Sequence, residues 1–158
     1  MSTVDSPEIK QGTLVFILRD NSVLLAVKNR GFGKGKWNGF GGKVELNESV
    51  SVAAVRETIE EIGVKPVLDK PLTVVTFHFS TGDSLQVTVF RTEKFSGEPR
   101  ESDEIKTPHW FKFKAVPYAQ MWSGDDLWLP YVLHNRPFTA EMWFDSDWKN
   151  IRHEIKLS

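Results

Sequence analysis

Residues 40–63 read FGGKVELNESVSVAAVRETIEEIG. The second half of this stretch, residues 49–62, carries the clearest helical pattern in the chain. Val52, Val55, Ile59 and Ile62 recur at intervals of three and four, which predicts one apolar face. Asn47 or Ser49 can cap the start, and Gly63 stands where a left-handed residue ends a helix. At about 100° per residue, Glu57, Glu60 and Glu61 fall within about a third of the circumference. The apolar set is expected on the opposite face, with Ala53 and Ala54 leaving room beside the glutamates.

Clustered carboxylates repel one another, by a few tenths of a kcal/mol for each i,i+4 pair. A hard divalent cation removes that repulsion, and an oxygen-only donor set suits Mg²⁺ or Mn²⁺. Such an ion leaves positions for water and phosphate, and a neighbouring carboxylate can deprotonate or orient the attacking water. Arg-Glu-x-x-Glu-Glu alone also describes a solvated acidic surface. The segment before it shifts the reading. Phe40-Gly41-Gly42-Lys43 puts bare backbone and an ammonium directly ahead of the helix, where amides and Lys can hold phosphate and a Gly carbonyl can ligate metal.

Working outward, residues 13–18 and 23–27 are β-prone runs joined by a turn at Arg19-Asp20-Asn21-Ser22. Residues 31–35 form a basic Gly-rich loop, and residues 37–44 a short strand broken by glycines. Strands are expected at residues 72–79, 85–92, 110–113, 140–144 and 151–157. A loop is expected at 97–107 and short helices at 116–121 and 128–135. Strands dominate and one long helix packs on them, so the fold class is α+β. The 158 residues suit a single domain, with residues 1–11 as a flexible N-terminal extension.

The formal net charge of −1 supplies no field for a nucleic-acid polymer. The absence of Cys excludes disulfides, thiolate nucleophiles and Cys-ligated zinc. No apolar run approaches the roughly 20 residues that span a bilayer, and residues 1–10 show no secretory or transit pattern. The expectation is a monomer acting on a small molecule in the cytoplasm, with nuclear and mitochondrial pools as alternatives.

The spacing Gly42-x5-Glu48-x7-Arg56-Glu57-x2-Glu60-Glu61-x-Gly63 resembles the Nudix box. That resemblance implies a mixed-sheet sandwich flanked by helices, with the box as strand–loop–helix, and hydrolysis of a nucleoside diphosphate linked to another moiety. It assigns metal ligation to Glu57, Glu60, Glu61 and the Gly41 carbonyl, and catalysis to the same three glutamates. It also implies that Arg56 orients a glutamate and that Glu48 is structural. Thr58 stands where the family prefers an aliphatic residue, so a local change in packing is expected.

Outside the box, Lys28 to Gly33, Trp37 to Val44, Glu101 to Glu104 and the segment from Met121 to Trp128 are similar to the animal MutT-type enzymes. These convert oxidised purine nucleoside triphosphates such as 8-oxo-dGTP and 2-hydroxy-dATP to monophosphate and pyrophosphate, which sanitises the nucleotide pool. Carried over by position, Thr13, Lys28, Asn38 and Phe40 to Lys43 (Phe40, Gly41, Gly42, Lys43) contact substrate. Phe77, Phe79 and Trp122 line its pocket, and Glu104 is a further metal or base carboxylate. Asn38 offers a donor and an acceptor to a purine edge, and Trp122 a stacking face.

One departure concerns the base. Relatives carry two adjacent acids where this chain has Gly124-Asp125-Asp126. Counting forward from Trp122 pairs them with Gly124 and Asp125; sliding by one keeps both, as Asp125 and Asp126, but shortens the distance to Trp128, and Asp125 is common to the two registers. The competing readings are a Nudix hydrolase of O6-methyl-dGTP or of a dinucleoside polyphosphate, and a catalytically dead nucleotide- or RNA-binding module. The intact box opposes the last of these.

Overall fold

The computed structural model describes residues 9–158. Its centre is β1 (Ile9–Arg19), which pairs antiparallel with β2 (Ser22–Lys28) through a turn at Asp20 and Asn21. On its other edge β1 runs parallel to β6 (Ser84–Thr92) from Ile9↔Ser84 to Ile17↔Thr92. Ile9 to Gln11, expected in the N-terminal extension, therefore belong to the sheet, and residues 1–8 lie outside the described residues.

β5 (Thr73–His78) pairs antiparallel with β6 and parallel with β9 (Phe138–Phe144), and β10 (Asn150–Leu157) closes that side. On the far side, β3 (Trp37–Asn38) and β8 (Ile105–Lys112) both pair with β2. β4 (Lys65–Pro66) and β7 (Phe95–Ser96) form a separate two-stranded ribbon.

Alternation along β1 and β2 sends side chains to two cores. Val15, Ile17, Leu24 and Ala26 pack with Phe40, Ala54 and Ile62 beneath α1 (Val50–Ile62). Phe16, Leu18, Val23 and Leu25 pack with Trp128, Leu129, Val132 and Leu133 of α2 (Asp125–Leu133). A mixed sheet between two helices is the expected α+β arrangement.

Several boundaries differ from expectation. The strand expected at 110–113 starts at Ile105, because it follows β2 along its length. The helix expected at 116–121 is a single 3₁₀ turn, Tyr118–Gln120. α2 begins three residues early, with Asp125 and Asp126 in its first turn, where the helix dipole favours acids.

The face of α1 is the main correction. Val52 is 58% exposed and Ile59 38%, whereas Ala53, Ala54, Thr58, Glu61 and Ile62 are buried. The helix meets the glycine-rich chain closely, so its smallest side chains make the contact. Ala54, Thr58 and Ile62 form the packed stripe at i,i+4 spacing. Glu57 and Glu61 border that stripe instead of opposing it. Thr58 is fully buried, and its hydroxyl donates to the Ala54 carbonyl at 2.7 Å, so the departure from the box is satisfied locally.

Candidate active site

The site is built where residues 40–44 run beside β1. Thr13 N–H donates to the Gly42 carbonyl at 2.8 Å, Phe40 N–H to Val15 at 3.0 Å and Val44 N–H to Gln11 at 3.1 Å. The approach needs bare backbone. A Cβ on Gly41 would overlap the Thr13 carbonyl, and one on Gly42 would lie 2.6 Å from the carboxylate carbon of Glu57. The Ser49 hydroxyl caps α1 by accepting from Val52 N–H at 3.2 Å, and Gly63 ends it at φ 74°. With both ends fixed, the helix holds its glutamates against the glycine turn.

Glu61 is 4% exposed, and its Oε1 accepts from Gly41 N–H at 2.8 Å. Its nearest cation, Lys28 Nζ, is 3.9 Å from Oε2. Burial pushes the Glu61 carboxyl up to about 7, and the Glu57 and Glu104 charges add to this. The Gly41 N–H and Lys28 act against it.

Glu57 lies against Gly42 and accepts from Arg56 Nη1 at 2.9 Å. Glu60 is the more exposed, with Arg56 Nη1 at 3.4 Å. Arg56 is the hub of this end. It also binds Glu48 through two nitrogens, at 2.6 and 2.9 Å, and donates to the Lys43 carbonyl at 3.3 Å. The fork to Glu48 raises the Arg56 pKa and holds the Glu48 carboxyl down at about 2, with help from the Glu45 N–H. Glu48 thus works through Arg56.

Glu104, ahead of β8, is held by Arg30 at 2.6 Å and faces Lys28 at 3.5 Å. Arg30 keeps its carboxyl below the usual range.

The expected cluster of Glu57, Glu60, Glu61 and Glu104 is spread by these partners. Among the described residues no three acidic or His side chains stand close enough to share an ion. The donor chemistry still fits a hard divalent cation. It consists of oxygens only, and the Gly41 carbonyl accepts no backbone hydrogen bond among the described residues. Among the described residues, the buried Glu61 carboxyl faces a single ammonium, Lys28 at 3.9 Å, which leaves room for a cation to complete its balance.

A cavity of about 470 Å³ opens beside Glu61. Thr13, Lys28, Asn38, Gly41, Gly42, Lys43, Phe77, Phe79, Trp122 and Asp125 all line it. Phe40 does not: its ring is fully buried in the core under α1, and its backbone is bonded to Val15. Glu57, Glu60 and Glu104 also lie outside the cavity lining.

Asn38 Oδ1 accepts from Gly39 N–H at 2.8 Å, which leaves its amide NH₂ to act as donor. Asp125 is 3% exposed, and burial pushes its carboxyl up to about 8, with the Asp126 charge adding to the effect. Asp126 is exposed. Gly124 has φ 96°, and a Cβ there would lie 2.8 Å from Met142 Cε. Of the three residues in the altered acid pair, Asp125 alone reaches the cavity.

Sequence reasoning missed Leu14, Phe32, Lys36, Leu85, Val87, Trp128 and Phe144 in the lining. Leu85 and Val87 could have been found from strand alternation opposite Phe77 and Val75. Phe32 stands in the stretch from Lys28 to Gly33 marked by resemblance, and Phe144 carries no such signal.

These features define a hydrolase class: a mixed sheet between helices, with a carboxylate-bearing helix seated on a Gly-Gly-Lys turn at the mouth of a nucleotide-sized cavity. Residues 9–132 match the NUDIX domain, and the chain belongs to the Nudix hydrolase family, whose members use divalent metal ions. It is 39% identical over 144 residues to a Danio rerio protein named oxidized purine nucleoside triphosphate hydrolase, covering 90% of this chain and 92% of that one. A Mus musculus protein of the same name is 37% identical over 133 residues, covering 84% and 85%. The crystal structure of a mutator MutT protein from Bacillus halodurans superposes with a TM-score of 0.82 at 25% identity, covering 92% of this chain and 97% of that one. Among the described residues no helix is long and apolar enough to cross a membrane.

Proposed function

We propose that this enzyme hydrolyses oxidised purine nucleoside triphosphates, such as 8-oxo-dGTP and 2-hydroxy-dATP, to the monophosphate and pyrophosphate. In doing so it keeps damaged bases out of DNA. One observation carries the reading. A single cavity is lined by half-buried Asn38 and Trp122 and buried Asp125, the proposed recognition end, and by Gly41, Gly42, Lys43 and Glu61, the proposed phosphate end. Two relatives of that name, aligned over most of the chain, support the substrate class.

In this reading Trp122 stacks on the purine, while Asn38 and Asp125 meet its polar edge. Asp125, with its carboxyl held neutral up to about 8, presents both a donor and an acceptor to a base that carries an extra oxygen. Phe77 and Phe79 close the apolar wall, and Thr13 and Lys28 flank the path toward the phosphates. Gly41, Gly42 and Lys43 receive the phosphate oxygens. Glu57, Glu60, Glu61 and the Gly41 carbonyl, with Glu104 nearby, would hold Mg²⁺, or Mn²⁺ in its place. The bound ion supplies phosphate charge neutralisation and a more acidic water. Arg56 aims Glu57, and the glutamates accept the proton of the attacking water.

The test is pyrophosphate release across a panel of 8-oxo-dGTP, 2-hydroxy-dATP, dGTP, O6-methyl-dGTP and diadenosine tetraphosphate, with and without Mg²⁺. The reading expects the highest kcat/KM for an oxidised purine and no turnover without the ion. A clear preference for O6-methyl-dGTP or for the dinucleotide would replace the substrate and leave the family intact.

A further inference from the structure

Four rings from four separate segments meet at the rim of the cavity. Phe32 lies in the β2–β3 loop, Phe79 follows β5, Trp122 precedes α2, and Trp148 sits at the tip of the β9–β10 hairpin. Ring centroids are 4.8 Å apart for Phe32 and Trp122, 5.2 Å for Phe32 and Trp148, 5.5 Å for Phe79 and Trp148, and 6.1 Å for Trp122 and Trp148. Phe32, Phe79 and Trp122 line the cavity, and Trp148 touches all three from outside it.

The backbone of Trp148 is strained. Its φ is 61°, a left-handed conformation that bulky side chains rarely adopt. The hairpin tip is organised by Asp145. Its carboxylate accepts from Asp147 N–H at 2.9 Å and Lys149 N–H at 3.0 Å, and its carbonyl accepts from Trp148 N–H at 3.1 Å. Such a tip favours Gly or Asn at the left-handed place. Trp148 occupies it while 44% exposed, and what its ring gains there is the contact with the three rings of the rim. Strain retained at an exposed position points to a use for the side chain.

The surroundings show what that use is. A second, open cavity of about 830 Å³ lies behind the rim, and Phe32, Gly33, Lys36 and Trp122 line both spaces. The wall between them is therefore thin and has open space behind it instead of packed core. A Cβ on Gly33 would lie 3.1 Å from the Trp122 indole, and the Lys36 ammonium is 5.2 Å from its centroid, but both residues belong to the same loop as Phe32. Trp148 ties this wall to the main sheet.

We propose that Trp148 is a positioning residue for purine binding: it fixes the angle at which Trp122 and Phe32 face the base, and so sets affinity without touching the chemistry. This rests on the cavity being the nucleotide site. Trp148→Gly gives the turn the residue it favours while removing the ring, and Trp148→Phe keeps a ring.

The glycine variant is expected to keep or raise Tm. Its KM for 8-oxo-dGTP should rise about five- to twentyfold, a fraction of what a lost stacking face costs, with kcat within about twofold. The phenylalanine variant should recover most of the KM. An unchanged KM in the glycine variant overturns the proposal, and so does a joint fall in Tm and kcat, which marks plain packing.

A second readout needs no substrate. The ¹⁵N order parameter of the Trp122 indole should fall in the glycine variant and recover in the phenylalanine one; an unaltered value overturns the proposal. If the wild-type enzyme leaves 8-oxo-dGTP intact, the substrate reading alone fails, and the order parameter still decides the role of Trp148.

Discussion

The two ends of the cavity are built by opposite means. The phosphate end comes largely from one continuous stretch, residues 41–61, in which a glycine turn is pressed onto a capped helix and each acid has a named partner. The recognition end gathers Asn38, Phe77, Trp122 and Asp125 from three places in the chain and holds them with rings and burial. One end depends on backbone contact with almost no slack, the other on side chains packed beside open space. The difference predicts that substitutions at the phosphate end abolish function or folding, while those at the recognition end retune affinity.

The largest effect is expected from Glu57→Gln and Glu61→Gln. Each should lower pyrophosphate release with Mg²⁺ by about 10²–10⁴-fold, the range of a lost general base, with an unchanged circular dichroism spectrum. Near-normal turnover in both would break the comparison at its catalytic side.

Gly41→Ala comes next. The added Cβ has no space against the Thr13 carbonyl, and urea titration should show a loss of about 4 kcal/mol or more. Trp122→Ala should raise KM by roughly five- to a hundredfold, equivalent to about 1–3 kcal/mol of stacking, and leave kcat nearly as it was. If kcat collapsed instead, the two ends would not be separable.

Asp125 sharpens the comparison through pH. Its folded pKa, about 8, lies above the ordinary value of 3.8. Between those values the folded chain holds a proton that the unfolded chain has released. The Asp125 contribution is therefore whole below about pH 4 and lost as pH rises toward 8. Glu61 acts in the same sense between 4.5 and about 7. Without divalent metal, the urea midpoint should fall from pH 5 to pH 8, and Asp125→Asn should flatten that slope in part. A midpoint that rises with pH would contradict the burial of both acids.

The smallest effect is reserved for Thr58→Val. Its hydroxyl bonds a carbonyl within its own helix, so stability should change by about 1 kcal/mol or less and turnover by less than twofold.

What could be read in the sequence follows the same division. Fixed intervals from Gly42 to Gly63 made the phosphate end legible, because a helix converts spacing directly into direction. The helix face is not legible in this way: periodicity places Val52 and Ile59 on the buried side, while the glycine turn admits only small residues at close range. Phe40 adjoins glycines that do line the cavity, which points it toward the substrate, yet alternation turns its ring into the core. At the other end, Asn38, Phe77, Phe79, Trp122 and Asp125 were picked by resemblance. Phe144 and Trp148 carry no signal in the sequence, because only tertiary structure brings their segments to the cavity and its rim.

The parallel pairing of β1 with β6 has a consequence for biosynthesis. Everything the phosphate end needs in its glycine turn and helix has left the ribosome soon after Gly63, yet β1, against which that turn is laid, still lacks its neighbour at residues 84–92. Until then the nascent chain carries a bare strand edge, open to foreign pairing. The phosphate end therefore matures only once residue 92 has emerged, and the recognition end, which needs Trp122 and Asp125, later still.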